Sequence, residues 1–350
     1  MTFNETFILL FGISCFTYLL WGFKTFPRDR QFLAAFPEKK IESEEWTGVN
    51  LTYYGFLVAT GLIVAVFVNF MLLGGLGIPL FASLVLSGSV LCLSVPAAKG
   101  MAVLIEGKEN TFTTCGAFFV GLIFTPSLVL FLREVFFPEG KVGWEIVPIL
   151  AAFTISYCIG EGLGRLGCIS FGCCYGKPLE TSSPKLKKMF KNFYFIFSGE
   201  SKKISYAHGW EGKPVIPVQA LSSLICILGG LIGLFLFVKS YFQAALFISI
   251  MSSQGWRIVA EFLRSDFRGE GNSKAYLWLS FVAIIYSLII MSVASGFKSP
   301  SIDLFAGLKT LWRPDVILFL QLLWIGILVY MGKSRVTGSI ISFYVHSDKI

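Results

Sequence analysis

The chain has 350 residues, of which 55% are hydrophobic and only 14% charged, with a mean hydropathy of +0.73 and a net charge of +8. A soluble domain of this size carries roughly a quarter charged residues, so the composition argues against a soluble protein and for a polytopic membrane protein. The positive balance then reads as basic loops beside anionic membrane lipids; no basic stripe interleaved with aromatics marks a nucleic-acid binder.

A spanning helix needs roughly 20 mostly apolar residues. Nine segments are predicted: 3–23, 51–73, 78–98, 111–132, 146–168, 216–238, 241–263, 276–296 and 314–331. The first run has no positive leader and ends at Trp21-Gly-Phe-Lys-Thr-Phe-Pro27, not at a small-residue cleavage site, so it reads as a retained helix. Residues 27–50 read as a polar loop of mixed charge. Leu72-Leu-Gly-Gly-Leu-Gly-Ile-Pro79 breaks the second helix from the third. The third and seventh segments are the weakest, the seventh because Arg257 and Glu261 lie inside it. Residues 176–215 form a long, lysine-rich connection in which Asn192-Phe-Tyr-Phe-Ile-Phe197 has strand composition, so a small folded head on the membrane surface is expected. The excess of Lys and Arg in alternate loops places that head in the cytoplasm.

Two charge pairs lie at membrane depth, where an ionised side chain is costly and rarely incidental. Glu161 and Arg165 are one pair and Arg257 and Glu261 the other, each spaced to share a helix face. Two guanidiniums facing one cavity suit a phosphate or carboxylate, because each planar fork binds two oxygens. The bland alternative is two structural intrahelical ion pairs.

Gly164, Gly167, Gly172 and Gly176 surround Arg165 in Gly164-Arg-Leu-Gly-Cys-Ile-Ser-Phe-Gly-Cys-Cys-Tyr-Gly176, where the backbone can turn sharply and approach another group closely. Cys168, Cys173 and Cys174 have no second ligand pair and adjacent cysteines do not easily share an ion, so no metal is expected. Plain packing is favoured for them, with a disulfide or a reactive thiol beside the arginines left open. His208 reads as a surface histidine, with a role as base left open.

These motifs resemble the prolipoprotein diacylglyceryl transferase family, in a cysteine-containing branch. Gly164-Arg-Leu-Gly167 followed by Gly172-Cys-Cys-Tyr-Gly176 carries the resemblance. It is joined by Tyr54-Gly55, Cys115-Gly-Ala-Phe-Phe-Val-Gly121, Pro217-Val-Gln219 and Arg257-x-x-x-Glu261-Phe-Leu-Arg264, over about residues 50–297. The resemblance implies an all-α, polytopic integral membrane protein with a seven-helix transferase-like core, one extra helix at each end and a small surface head. The corresponding segments are 1–48, 49–297 with the head at 176–215, and 298–350.

It implies transfer of the diacylglyceryl group of phosphatidylglycerol to the cysteine thiol of a lipobox preprotein, in the bacterial cytoplasmic (inner) membrane, without a cofactor. Arg165, Arg257, Glu261 and Tyr54 are the implied catalytic residues, and Gly164, Gly167, Gln219, Arg264 and Gly116 the implied substrate-binding ones. It also implies a head outside the cytoplasm, against the charge count. The family's motif histidine falls on Cys115 or Thr114, its asparagine on Cys168, its glutamate on Cys173 or Cys174, and its closing Tyr-Glu on Leu221-Ser222. Those departures leave two alternatives: a paralogue with another acceptor, and a non-catalytic phospholipid-binding or transport protein.

Overall fold

A computed structural model describes residues 2–28, 30–42, 44–107, 113–136, 145–266, 274–293 and 302–350. The predicted helix ends at 111–112 and 294–296, and the predicted boundary at 297/298, lie outside the described residues. Eight described helices are long and apolar enough to cross a membrane. They are α1 (Phe3–Thr25), α2 (Tyr53–Gly75), α3 (Leu80–Glu106), α4 (Thr114–Phe136), α5 (Ile146–Phe171), α8 (Val218–Val238), α11 (Lys274–Val293) and α13 (Pro314–Gly332). Between α5 and α8 the head contains α6 (Pro184–Met189), α7 (Lys203–His208) and a two-stranded sheet of β3 (Phe195–Ile196) and β4 (Pro214–Val215).

The predicted seventh span is not one regular helix. It is α9 (Phe242–Ile250), a π-helical turn over Met251–Gly255, and α10 (Trp256–Leu263). Side-chain hydroxyls in this stretch bond back to the main chain: Ser253 Oγ donates to Ser249 O at 2.9 Å and to Ile250 O at 3.3 Å. Such back-bonding competes with the regular helical ladder, and π turns recur where a helix must re-aim a functional side chain. Arg257 lies two residues beyond the turn.

The contacts between ends require this broken segment to cross as well. Asn4 Nδ2 donates to Ile302 O at 3.5 Å and Lys239 Nζ to Glu5 at 2.9 Å, so the start of α1, the end of α8 and the segment before α12 (Leu304–Leu311) share one face. On the other face β1 (Phe32–Lys40), just after α1, pairs antiparallel with β2 (Glu45–Thr52), and β2 pairs with β5 (Lys333–Ser342), just after α13. An even number of crossings must separate β2 from β5. The seven long described helices between them satisfy this only if Phe242–Leu263 spans too, which gives nine crossings among the described residues.

The three-stranded sheet corrects the expectation of a polar loop at 27–50. β1 is exposed along almost its whole length, so its sequence has no reason to alternate and sends no strand signal.

The packing centre is α5, which is surrounded by α2, α8 and α9. Small residues let these helices approach closely without a gain from expelling water, as membrane packing favours. A Cβ on Gly61 of α2 would lie 2.7 Å from Gly160 O and 2.8 Å from Gly164 N of α5, so that crossing tolerates only glycine. α1 leans on α8 and α5, while α12 and α13 lean on α2.

The head is fastened by a buried lysine. Lys202 is fully buried and its Nζ donates to Ser170 O at 2.7 Å and Phe26 O at 3.1 Å, tying the C-terminal turn of α5 to the end of α1. A cation at orphan helix carbonyls satisfies them and complements the helix dipole. Gln31 exchanges hydrogen bonds with Ser201 beside it, at 3.2 and 2.8 Å. Lys202→Met keeps the bulk but strands both carbonyls, at a cost of about 1–3 kcal/mol each. Hydrogen exchange is expected to accelerate across 172–217 in that variant and to stay unchanged in α2; uniform exchange would remove the anchoring role.

Candidate active site

Glu161 stands at the centre of the charged cluster. It projects from α5 one turn before Arg165, and the two form the pair that their spacing predicts. Arg257 reaches the same carboxylate from α10, with Nη2 at 2.6 Å from Glu161 Oε1. The pairing of Arg257 with Glu261 expected from their spacing is therefore replaced by an interhelical ion pair 96 residues apart in sequence. The Glu161 side chain is 6% exposed and those of Arg165 and Arg257 14% and 15%, so the triad is largely dry.

Arg257 Nη2 also lies 3.1 Å from Tyr157 Oη and 3.3 Å from Thr114 Oγ1. Arg165 Nη1 points to Cys174 Sγ at 3.9 Å. Both guanidinium Nε atoms, Glu161 Oε2 and Gln219 Oε1 are buried without a hydrogen-bond partner among the described residues. Unpaired polar atoms at such depth are costly in a resting core and suit a place kept for a polar ligand. Two positive charges against one negative leave the triad one net positive charge, which matches a singly charged phosphodiester.

The other expected site residues divide into two groups. A Cβ built on Gly164 meets nothing within 4 Å, so this glycine borders open space beside Arg165. Gln219, at the start of α8, donates from Nε2 to Cys173 O at 2.7 Å and so holds the Gly-Cys-Cys-Tyr-Gly turn. Tyr54, at the start of α2, lies against Phe171 with ring centres 5.8 Å apart.

Gly167 and Gly116 are closely packed. A Cβ on Gly167 would sit 3.1 Å from Tyr54 O, and one on Gly116 2.8 Å from Met101 Sδ. Arg264 forms a bidentate pair with Asp266 at 2.7 and 2.8 Å, and its main chain bridges to Gly176, so it braces the cysteine turn. Glu261 is one turn from Arg257 on α10 and is not one of the two partners bridged by Glu161.

The sequence left Cys115 and Thr114 open for one position, and the geometry separates them. Thr114 Oγ1 meets Arg257, whereas Cys115 Sγ lies against Ser280 Oγ of α11 at 3.8 Å. Tyr157 was missed because a tyrosine inside an apolar helix carries no signal of its partner. Tyr175 was missed too: it is fully buried, and its Oη lies 2.6 Å from Nδ1 of His208, which comes from the head and stacks on Trp210.

Three thiols complete the site. Sγ of Cys168, Cys173 and Cys174 all lie within 4.8 Å of one another. Cys174 adopts the left-handed conformation (φ 58°), which folds two adjacent cysteines onto the same side as Cys168. Hydrogen bonds from Cys168 and Cys173, then the charges of Arg264 and Arg165, hold the Cys174 thiol well below the ordinary range despite burial. A separate apolar cavity of about 860 Å³ between α2, α12 and α13, lined by Phe67, Trp312 and Trp324 among others, contains none of these residues.

Several members of the site lie where their helices meet the head: Tyr54 opens α2, Thr114 opens α4 and Gln219 opens α8, while Glu161 and Arg165 lie in the second half of α5 and Arg257 in the first turn of α10. The charged cluster thus gathers residues from α4, α5 and α10 toward the end of the bundle that carries the head.

The profile of the prolipoprotein diacylglyceryl transferase family matches residues 45–293. A phosphatidylglycerol–prolipoprotein diacylglyceryl transferase of Clostridium tetani is 27% identical over 192 residues, covering 54% of this chain and 67% of the relative. The enzyme of the same name numbered 2 from Clostridium perfringens is 27% identical over 159 residues, 44% of this chain and 54% of the relative. The aligned part thus spans about half to two thirds of these relatives. No solved structure matches the chain. With the arginine framework and the family profile covering the same core, this chain belongs to the prolipoprotein diacylglyceryl transferase family.

Proposed function

We propose that the chain transfers the diacylglyceryl group of phosphatidylglycerol to the cysteine thiol of a lipobox preprotein, in the cytoplasmic membrane of a bacterium. The observation that carries this reading is the pair of buried guanidiniums, Arg165 and Arg257, sharing one carboxylate while their Nε atoms stay unpartnered among the described residues. A phosphodiester supplies the missing acceptors. Its phosphate leaves the glycerol carbon only if the developing negative charge is held, and rigid cations in a dry site do this without reorganising. Glu161 fixes both forks before substrate arrives. Gln219 Oε1 accepts a hydrogen bond from a headgroup hydroxyl or from the incoming peptide, and open space beside Gly164 admits the glycerol.

Incubation of the purified chain with labelled phosphatidylglycerol and a lipobox peptide tests the proposal. Release of glycerol phosphate together with a diacylglyceryl-modified peptide is the expected result. Release without peptide modification would transfer the reading to another acceptor. Thr114, standing where the family has a histidine, favours one alternative: a phospholipid-binding paralogue, which predicts headgroup-dependent binding and no release.

Gly164→Leu extends into the space beside Arg165, where a Cβ meets nothing within 4 Å, so the fold is expected to persist. Transfer should fall at least about 100-fold through misplacement of the glycerol, since an error near 1 Å costs that much. Unchanged transfer in this variant would place the substrate elsewhere.

A further inference from the structure

We infer that Cys168, Cys173 and Cys174 form a tripodal site for a thiophilic divalent ion, zinc, whose fourth position takes the thiol of the acceptor cysteine. The role in transfer rests on the function proposed above; the metal site itself does not. The spacing of the three cysteines speaks against a shared ion, because neighbours in sequence usually point apart. The left-handed backbone at Cys174 removes that objection by turning its thiol back toward Cys168 and Cys173. In a tetrahedral site with zinc–sulfur bonds near 2.3 Å, sulfurs stand about 3.8 Å apart. The three Sγ atoms already lie within 4.8 Å of one another, so small side-chain rotations close the site.

Charge supports the same occupant. Three thiolates around a dication carry one net negative charge, and Arg165 stands directly against the cluster, with Nη1 3.9 Å from Cys174 Sγ. Gln219 locks the turn by binding Cys173 O, and Arg264, paired with Asp266, braces the turn from α10 through its bridge to Gly176. The three cysteines are half-buried, not sealed, as a site with an open position requires.

The location answers a chemical need. Thr114 meets Arg257 where a basic histidine is expected, and a threonine cannot deprotonate a thiol. Metal coordination is another way to present a thiolate at neutral pH. The acceptor thiol releases its proton to water as its sulfur binds. That sulfur then forms a C–S bond to the glycerol carbon as the C–O bond to phosphate breaks. The electron pair leaves on the phosphate oxygen, held by Arg165 and Arg257, and the product is a neutral thioether. No oxidant or reductant is consumed.

The test is cobalt substitution of the purified full-length chain, read by absorption rather than by activity. Zinc is expected to co-purify at about one ion per chain. After chelation and addition of cobalt, a thiolate-to-cobalt charge-transfer band and intense tetrahedral d–d bands are expected. Cys168→Ser and Cys173→Ser should lose them, while Cys92→Ser, at an exposed helix position, should keep them. A lipobox peptide should raise the charge-transfer band by roughly a third, one sulfur added to three; the same peptide with serine for cysteine should not. Absence of the bands, or a cluster purifying as a disulfide, overturns the metal site. Bands indifferent to the cysteine peptide overturn its role in binding the acceptor. Either failure leaves the phospholipid chemistry of the arginines intact, because glycerol phosphate release and its dependence on Arg165 are measured separately.

Discussion

Arg165→Ala and Arg257→Ala are each expected to lower kcat/KM for diacylglyceryl transfer by at least about 1,000-fold while the protein still accumulates in the membrane. The magnitude follows from their task. Removing a single preorganised donor from a developing anion costs about 100- to 1,000-fold, and a charged fork aimed at transferring phosphate costs more. Accumulation follows from what remains: with either arginine gone, Glu161 still has the other as its partner, so no lone charge is left in the core.

Lysine should not rescue. Arg165 bonds Glu161 through Nη2 and faces Cys174 through Nη1 while its Nε stays unpartnered among the described residues, a division of labour that a single ammonium cannot reproduce. Arg165→Lys is therefore expected to recover less than about a tenth of the lost activity. Phosphatidylglycerol binding, measured by retention of labelled lipid, should weaken in parallel. Wild-type transfer in either alanine variant would sink the clamp.

The sequence discloses the members of this site better than their partners. Arg165 and Arg257 stand out because a charge inside an apolar run is conspicuous wherever it lies. The i,i+4 rule then finds Glu161 for Arg165 correctly, since both ride on α5. The same rule offers Glu261 to Arg257 and misleads, because the true partner lies on another helix and no local period encodes an interhelical distance. Thr114 and Cys115 are indistinguishable in a linear motif but meet different partners, Arg257 and Ser280, once the rotation of α4 is fixed.

The membrane spans are legible from hydropathy alone, as every backbone group at that depth must be satisfied internally. The interruption at Met251–Gly255 is not, since serine and glutamine are tolerated in a regular helix too. The sheet of β1, β2 and β5 escapes for a different reason. Two of its strands are adjacent, but the third arrives 281 residues after β2 ends, and long-range pairing leaves its mark on neither segment.

Glu161→Gln is expected to destabilise the protein by about 3–5 kcal/mol and to reduce transfer about 100-fold or more. A neutral amide leaves two buried guanidiniums facing each other with no counter-charge, and breaking a buried ion pair by removing one partner carries that order of cost. It also frees both forks from the orientation in which they receive phosphate. The two effects are separable in a double-mutant cycle. Adding Arg165→Gln to Glu161→Gln removes one of the stranded charges, so the double variant should melt higher in detergent than Glu161→Gln alone, with a coupling of about 1–3 kcal/mol. Transfer should not return in that double variant, because one of the two phosphate ligands is gone. If Glu161→Gln melts with the parent protein and its effect simply adds to that of Arg165→Gln, the carboxylate is not what joins α5 to α10. The convergence of the two arginines would then need another cause, with Tyr157 and Thr114 as the remaining contacts of Arg257.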